Sequence, residues 1–405
     1  MNVHTPLLAN HYTCTGCLAC IDVCNNKALY MQVEHDGHIY PKLNTEKCVG
    51  CLKCQRACPV ISRYPYCESE FAHFYAAWSK NVELRKISAS GGVFSAMAEY
   101  MLDNGGVVVG ATLDGICDVH HILIENKKEI TKLLGSKYTQ SRTEGIYVKT
   151  LDSLNRGKTV LFSGTGCQIA GLLSFLGDKK YKGKLITVDL ICGGVPSKLL
   201  ISKFIENEPY TISHILSFRT KDKGWAPVNY EYNLKTIDNK GVVHDYRGCH
   251  DLISKGFGFE CTNRWSCYNC QFVGLHRKSD FTIGDFWHIK RFKEQHFGGI
   301  SVIISHNKEA DDFLKNMRKY LELYSANEEE VLPYNYRIYS GKCNQGHTIE
   351  RKIMPWAFRH LSYNILKKIY AYDDPGLLYK IYFHLSRKII NSVYRIPHNY
   401  NINNK

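Results

Sequence analysis

The feature that most constrains this chain is a doubled run of thiols. Cys14, Cys17, Cys20 and Cys24 are followed, at the same spacing, by Cys48, Cys51, Cys54 and Cys58. In a C-x2-C-x2-C-x3-C run, three thiolates on a short loop can each reach a different iron of one cubane 4Fe–4S cluster. The fourth, on the turn that follows, points away and ligates the other cluster. The spacing therefore assigns Cys14, Cys17, Cys20 and Cys58 to one cube, and Cys48, Cys51, Cys54 and Cys24 to its partner. Cross-bracing of this kind lets a segment with little hydrophobic core fold, because metal-binding free energy becomes folding free energy. Zinc is the competing reading, since paired CxxC motifs often hold it. A zinc site takes four ligands, however, and gives no reason for two matched runs of four. Pro59 follows Cys58 whereas Asn25 follows Cys24, a departure that removes no ligand.

A length of 405 residues suggests two or three domains with ample core. No apolar run approaches the roughly 18 residues of a membrane span, and residues 1–10 lack the charged and apolar regions of a signal peptide. Seventeen cysteines, eight of them placed for clusters, point to the reducing cytoplasm. The net charge is +14, and residues 351–405 carry ten Lys or Arg against two Asp. Without a nucleic-acid motif beside it, this excess suits an acidic partner or an anionic membrane surface. The tail mixes Trp356, Phe358, Tyr363, Ile365 and Leu366 with Lys367 and Lys368. Such basic amphipathic helices either pack on a domain or make a peripheral membrane contact.

Beyond a linker at 61–71, strands and helices alternate. Strands are expected at 74–78, 107–110, 121–125, 159–162 and 185–190, and helices at 93–102, 143–154, 169–176 and from 198. That order implies a mixed or parallel sheet covered by helices. Ser90, Gly91 and Gly92 open a helix, with Ser90 as its N-cap. Residues 163–168 read as a glycine-rich strand-to-helix turn, with Gly164 and Thr165 able to face an anion or simply forming a tight turn. Cys167 and Cys192 both fall at the carboxyl ends of strands, where open α/β sheets bind ligands. A later CxxC, Cys267 and Cys270, has no second pair downstream to complete a zinc ribbon. Cys67, Cys117, Cys249, Cys261 and Cys343 read as small buried hydrophobes.

Six ordered motifs resemble the family of coenzyme F420 hydrogenase/dehydrogenase beta subunits: Ser90-Gly91-Gly92-Val93, the Gly135-Ser136-Lys137-Tyr138 loop, Gly164-Thr165-Gly166-Cys167-Gln168, the run from Cys192 to Ser197, Cys267-Tyr268-Asn269-Cys270, and the run from Ser279 to Trp287. The resemblance, over roughly residues 10–300, implies an iron–sulfur flavoprotein oxidoreductase. It implies FAD, with Ser90, Gly91, Gly92, Lys137, Tyr138, Gly164 and Thr165 as candidate contacts. It also implies a third 4Fe–4S cube, held by Cys167, Cys192, Cys267 and Cys270, with Cys261 as a substitute ligand. Against this stand a reading of Cys167 and Cys192 as packed thiols, and one of Lys137 as a solvated lysine. Asp280 and Asp285 are candidate acceptors beside the site, and Trp287 and Tyr138 either core or flavin-stacking residues. Some relatives act on the deazaflavin coenzyme, and many bacterial ones lie among polysaccharide-synthesis genes without a settled substrate. The chain departs from the family pattern at Gly166 (commonly proline), Gly193 (histidine), Trp265 (proline) and His288 (glycine).

The expected architecture is an α+β ferredoxin-like segment (1–62), an α/β domain with a mixed sheet (72–320) and a helical basic tail (345–405). Electrons would pass from a ferredoxin or another redox partner through the cubes and FAD to a small-molecule substrate, reversibly. FAD is the expected junction because a cube exchanges one electron whereas a hydride carrier exchanges two. The rival readings are an electron-transfer protein without its own substrate pocket, and a degenerate member kept as a scaffold.

Overall fold

The structure is a computed structural model, describing residues 5–62, 71–222, 224–225, 234–246, 251–258, 260–275, 277–339 and 348–370. Cys67, Cys249, Cys343 and the tail beyond residue 370 lie outside the described residues, as does most of the linker.

The two cysteine runs form matching halves. Gly16 and Leu18 adopt left-handed φ of 69° and 59°, and Gly50 and Leu52 repeat them at 66° and 57°. Each left-handed leucine leads into one helical turn, Ala19–Asp22 in the first half and Lys53–Arg56 in the second. Between them, strands β1 (Leu29–Val33) and β2 (Ile39–Leu43) pair as an antiparallel hairpin.

The rest is built on one eight-stranded mixed sheet. Its centre is four parallel strands in the order β4 (Val107–Asp114), β6 (Thr159–Thr165), β7 (Lys184–Leu190), β11 (Phe281–Asp285), numbered with β5 (Asp118–Ile124) on the far side of β4. Three antiparallel strands, β12 (Ser301–Ser305), β3 (His73–Ser79) and β13 (Leu321–Ala326), extend the other edge. A separate sheet joins β8 (Ile212–Ser217), β9 (Leu234–Asp238) and β10 (Val243–Tyr246). The mixed, helix-covered sheet expected from the alternating pattern is what forms. One face is sealed by the helix Val93–Asp103 through Met97 and Met101 and by Phe313 and Leu314. The other is covered by the helices Ile146–Asn155 and Gly166–Leu176, and the same apolar cluster takes in Cys17 and Ala19 of the first cysteine run.

Two local expectations change. Ser163, Gly164 and Thr165 are not a loop but the end of β6, and the next helix begins directly at Gly166. Thr165 caps that helix in a reciprocal box, its N–H donating to Gln168 Oε1 at 2.9 Å. Ser90 is not an N-cap: Gly92 occupies that position without a side-chain bond, and the Ser90 hydroxyl donates to Ile300 O. In the tail, helices Thr348–His360 and Tyr363–Tyr370 bury Met354, Ala357, Phe358 and Leu366 against Leu200, Leu252 and Cys261. These side chains are therefore covered by protein, as the packed reading of the tail expects, whereas Ile353, Trp356 and Ile365 are exposed. No helix among the described residues is long and apolar enough to cross a membrane.

Candidate cluster and flavin sites

Cys14, Cys17, Cys20 and Cys58 line one cavity together with Leu8, Ala9, Leu18, Pro41 and Val60. Burial pushes the Cys17 and Cys20 thiols far up, and neighbouring thiols add to it: Cys58, Cys167 and Cys14 for Cys17, and Cys17, Cys14, Cys58 and Cys54 for Cys20. Cys54 is raised by burial, then by Cys24 and Cys51. The cavity gathers Cys14, Cys17, Cys20 and Cys58, and Cys54 has Cys24 and Cys51 as neighbours; Cys48 is half-buried and Cys51 exposed. Burial and the repulsion that crowded thiolates would feel keep the raised thiols protonated; a bound cluster would displace the protons and supply the compensating positive charge of iron. Among the described residues no three His, Cys, Asp or Glu side chains converge on a point that would hold a single metal ion. A cube takes one thiolate at each iron corner, so its ligands surround a volume instead.

The first run is clamped by the large domain. Gln140 Nε2 donates to Gly16 O (2.9 Å), and Thr143 Oγ1 and the Tyr147 hydroxyl both donate to Cys17 O (2.7 and 2.8 Å). Asp22 accepts from the N–H groups of Gly145 and Tyr147, at the start of the helix Ile146–Asn155. Arg264 reaches in from the other side: Nε donates to Cys14 O (2.6 Å), and one terminal nitrogen to Ile39 O (2.7 Å) and Cys14 Sγ (3.5 Å). A Cβ on Gly171 would stand 3.0 Å from Cys17 Sγ, so the helix that opens with Gly166 and Cys167 lies directly on the first run.

Of the other four motif cysteines, Cys167 and Cys192 are neighbours at the carboxyl edge of the sheet, and the segments flanking Cys267 and Cys270 pack beside them. Thr165 and Leu190 are register partners, so Cys167 and Cys192, each two residues further on, emerge side by side. Burial lifts the Cys167 thiol to about 11, opposed by the Thr165 hydroxyl (3.2 Å) and reinforced by Cys192. The segment after Cys192 pairs with the stretch before Cys267: Arg264 N–H donates to Val195 O and Ser197 N–H to Thr262 O. The Cys270 loop crosses the same helix start, placing Phe272 O 2.7 Å from where a Gly166 Cβ would be. N–H groups of Gly194 and Phe272 donate to Cys192 Sγ and Cys270 Sγ at 3.4 Å. Cys261 is fully buried in the apolar cluster of the C-terminal helices, packed with Leu200, Leu252 and Met354.

The candidate flavin contacts divide. Gly164 and Thr165 are packed on Gln168, and the Thr165 N–H is spent in the cap. Gly91 is wedged between Ala77 O and Ser301 N, where a Cβ would come within 2.6 and 2.7 Å, and its N–H donates to Ser301 Oγ. Beside this turn the sequence reading missed two cations, Lys221 buried and Arg85 half-buried. Lys221 Nζ donates to the carbonyls of Arg85, Ser90 and Gly298 at 2.5–2.7 Å, and Arg85 spans Gln295 and Gly299. Desolvation takes Lys221 down to about 7 and Arg85 to about 10. Lys137 is not a solvated lysine: its amine, held by Leu133 O and Leu134 O, is lowered by desolvation to about 7. Tyr138 stacks on Phe257 with centroids 4.0 Å apart. Asp285 accepts from Arg219 (2.8 Å) and from Trp225 Nε1 (2.6 Å), and Trp287 stacks on Trp225. Asp280 ties Thr187 to Asn307 and stands away from this group as a structural acceptor. An uncapped helix start at Gly92 beside Lys221 and Arg85 suits an anionic ligand. The signal for Lys221 and Arg219 was their place in a polar insert among aromatics, Phe218 to Trp225, and for Arg264 its place three residues before Cys267.

Residues 74–146 match the N-terminal, and 157–330 the C-terminal, model of the coenzyme F420 hydrogenase/dehydrogenase beta subunit, and 13–61 match a 4Fe-4S dicluster domain. The chain belongs to this family of beta subunits. It is 27% identical to a subunit of the F420H2 dehydrogenase of Methanosarcina mazei over 170 residues, 39% of this chain and 47% of that protein. It is 44% identical to an uncharacterised polyferredoxin-like protein of Methanocaldococcus jannaschii over 68 residues, 15% of this chain and 40% of that protein. The chain thus spans less than half the length of these two curated relatives. A chain of the F420-reducing NiFe hydrogenase complex from Methanosarcina barkeri superposes with a TM-score of 0.44 at 16% identity, covering 81% of this chain and 93% of that one. Departures from the family pattern have local causes. Gly166 leaves room for Phe272 O. His288 holds φ of 58° where the pattern has glycine, and packs on Tyr334. Trp265 lies under the Arg351 guanidinium at 4.8 Å.

Proposed function

We propose that this chain is an iron–sulfur flavoprotein that carries electrons between an external one-electron donor and a two-electron, small-molecule substrate. Cys14, Cys17, Cys20 and Cys58 hold an inner cube, Cys24, Cys48, Cys51 and Cys54 an outer cube, and Cys167, Cys192, Cys267 and Cys270 a third. When bound, the cubes supply one-electron exchange and FAD exchange of one or two electrons. The observation that carries the reading is the cavity ringed by Cys14, Cys17, Cys20 and Cys58, with Cys17 resting on the helix that presents Cys167. Exposed Cys51 on one side and the large domain on the other support a solvent-to-interior order: outer set, inner set, third set. For FAD, Lys221, Arg85 and the Gly92 helix start offer positive charge to the diphosphate, Lys137 a further cation, and Tyr138, Phe257, Trp225 and Trp287 flat apolar surfaces. The described residues fit such a dianion because Lys221 and Arg85 meet carbonyls and an amide there rather than carboxylates.

The alternative, an electron carrier serving a partner's active site, draws on the relative whose name makes it part of a dehydrogenase. Anaerobic purification decides between them. The leading reading expects a flavin spectrum and about twelve irons per chain, against about eight for the first two cubes alone (four irons per cube). Cubes without copurifying or reconstitutable flavin would favour the carrier. Cys167→Ser lowering iron below the wild-type count would support the third set; an unchanged count would remove it.

A further inference from the structure

We propose that Arg264 sets the reduction potential of the inner cube and makes the two cubes of the doubled run unequal, an inference that rests on Cys14, Cys17, Cys20 and Cys58 holding a cube. The sequence repeat is symmetric, with matching left-handed turns at Gly16–Leu18 and Gly50–Leu52, but the surroundings are not. The outer loop faces water, with Cys51 exposed and Val49 64% exposed. The inner loop faces Arg264, whose side chain is fully buried.

The partners of Arg264 are what single it out. Three other buried arginines each meet a carboxylate, Arg277 with Asp189 (3.0 Å), Arg337 with Glu260 (2.5 Å) and Arg351 with Asp36 (2.5 Å), as does half-buried Arg219 with Asp285 (2.8 Å). Arg264 has none among the described residues. Its fork meets Cys14 O, Ile39 O, Gln140 Oε1 (2.8 Å) and Cys14 Sγ, with the Tyr40 ring 4.1 Å away. Leaving a buried cation uncompensated costs several kcal/mol, and carbonyl dipoles meet only part of that. The thiolate of Cys14 in a negatively charged cube is the counter-charge at hand. A cube gains one further negative charge on reduction. A fixed cation donating to a ligand sulfur therefore stabilises the reduced form more than the oxidised one and raises the potential. An electron delivered to the exposed cube then moves inward, toward the helix that carries Cys167.

The test is a redox titration of the full chain under anaerobic conditions, followed by electron paramagnetic resonance, with iron and sulfide counted in each sample. Arg264→Gln is expected to lower the midpoint of one cube of the doubled run and leave the other in place, with Arg264→Lys between variant and wild type. Gln140→Glu keeps the guanidinium but sets a carboxylate against it, and is expected to lower the same midpoint. That variant decides the matter if Arg264→Gln loses iron. Unchanged midpoints in iron-replete Gln140→Glu, or equal shifts of both cubes in either variant, would overturn the proposal. Wild-type protein without iron and sulfide would instead remove the cube assignment beneath it.

Discussion

Replacing Arg351 with methionine tests how the cluster segment is held to the rest of the molecule. Asp36, at the turn of the β1–β2 hairpin, is fully buried, and the Arg351 guanidinium, 1% exposed, lies 2.5 Å from its carboxylate while Nε donates to Asn263 O. Desolvation pushes Asp36 upward, but its charged and hydrogen-bonding neighbours, His38 and Arg351 foremost, outweigh that and hold the carboxyl below its usual range. Removing one partner of a buried ion pair costs about 3–5 kcal/mol. The Tyr40 hydroxyl (3.2 Å) and the His38 N–H (3.1 Å) still reach Asp36, so we expect the lower end. About 3 kcal/mol is roughly a hundredfold or slightly more in an opening equilibrium, at 1.4 kcal/mol per factor of ten. The assay is native-state hydrogen exchange of the amides in Leu29–Val33 and Ile39–Leu43, in apo and reconstituted protein. His11 Nε2 sits 3.3 Å from Asp36; burial is the main cause that lowers its pKa, Asp36 opposes it, and Arg351 is the foremost of the charges that add to it. Without Arg351, His11 can take up a proton beside Asp36, so the loss of protection should be smaller at pH 5.5 than at pH 8. The double variant Asp36→Asn/Arg351→Met should regain most of the protection. Unchanged exchange in Arg351→Met, or a double variant as unprotected as the single one, would refute the reasoning.

Gly16→Ala should lower iron occupancy of the inner set, measured by iron content: the left-handed φ of 69° costs about 1–2 kcal/mol for an L-residue. Its Cβ would also stand 2.1 Å from Gln140 Nε2 and 3.0 Å from Arg264, so both must shift. His121, buried between Ser141 Oγ and Ser163 O, is held neutral by desolvation, down to about 4 from 6.5. Between those values the unfolded chain binds a proton that the folded chain does not. Stability should therefore fall as pH drops from 6.5 to 4, by up to roughly 3 kcal/mol, and His121→Gln should flatten that part of a urea-midpoint profile. Lys53→Glu, at an exposed site beside Lys179 and next to the Cys51 loop, should slow reduction by an acidic protein donor about tenfold at low salt. The effect should vanish at high salt and with a small neutral donor; equal slowing by both donors would argue against docking there.

Much of the scaffold could be read without coordinates. Apolar runs such as Val107-Val108-Val109 and the helix that follows Gly92 lie close to where their patterns put them, because burial of periodic side chains is a local signal. The sorting of eight thiols into two sets also follows from spacing alone, since two- and three-residue gaps limit how far a thiolate can swing. Other readings failed where neighbours distant in sequence decide. The end of β6 looked like a loop because its glycines were visible and its pairing with β7 was not. Lys137 could be read as solvated, and Lys221 went unremarked, because nothing in a lysine's sequence neighbours announces that other elements will close over it. For the tail, the pattern left packing and membrane contact both open, and only the fold shows Leu200 and Leu252 covering Met354 and Phe358.

By itself, then, the sequence determined which thiols can share a cube, the family and the alternating sheet, all set by short-range geometry and periodic burial. Only the tertiary structure decided that Cys167, Cys192 and the Cys270 loop meet at one sheet edge, that one half of a symmetric repeat is buried and the other exposed, and that Arg264 faces a thiolate rather than a carboxylate. The physical reason is that desolvation and charge pairing depend on what packs from elsewhere in the chain, and no local spacing encodes them.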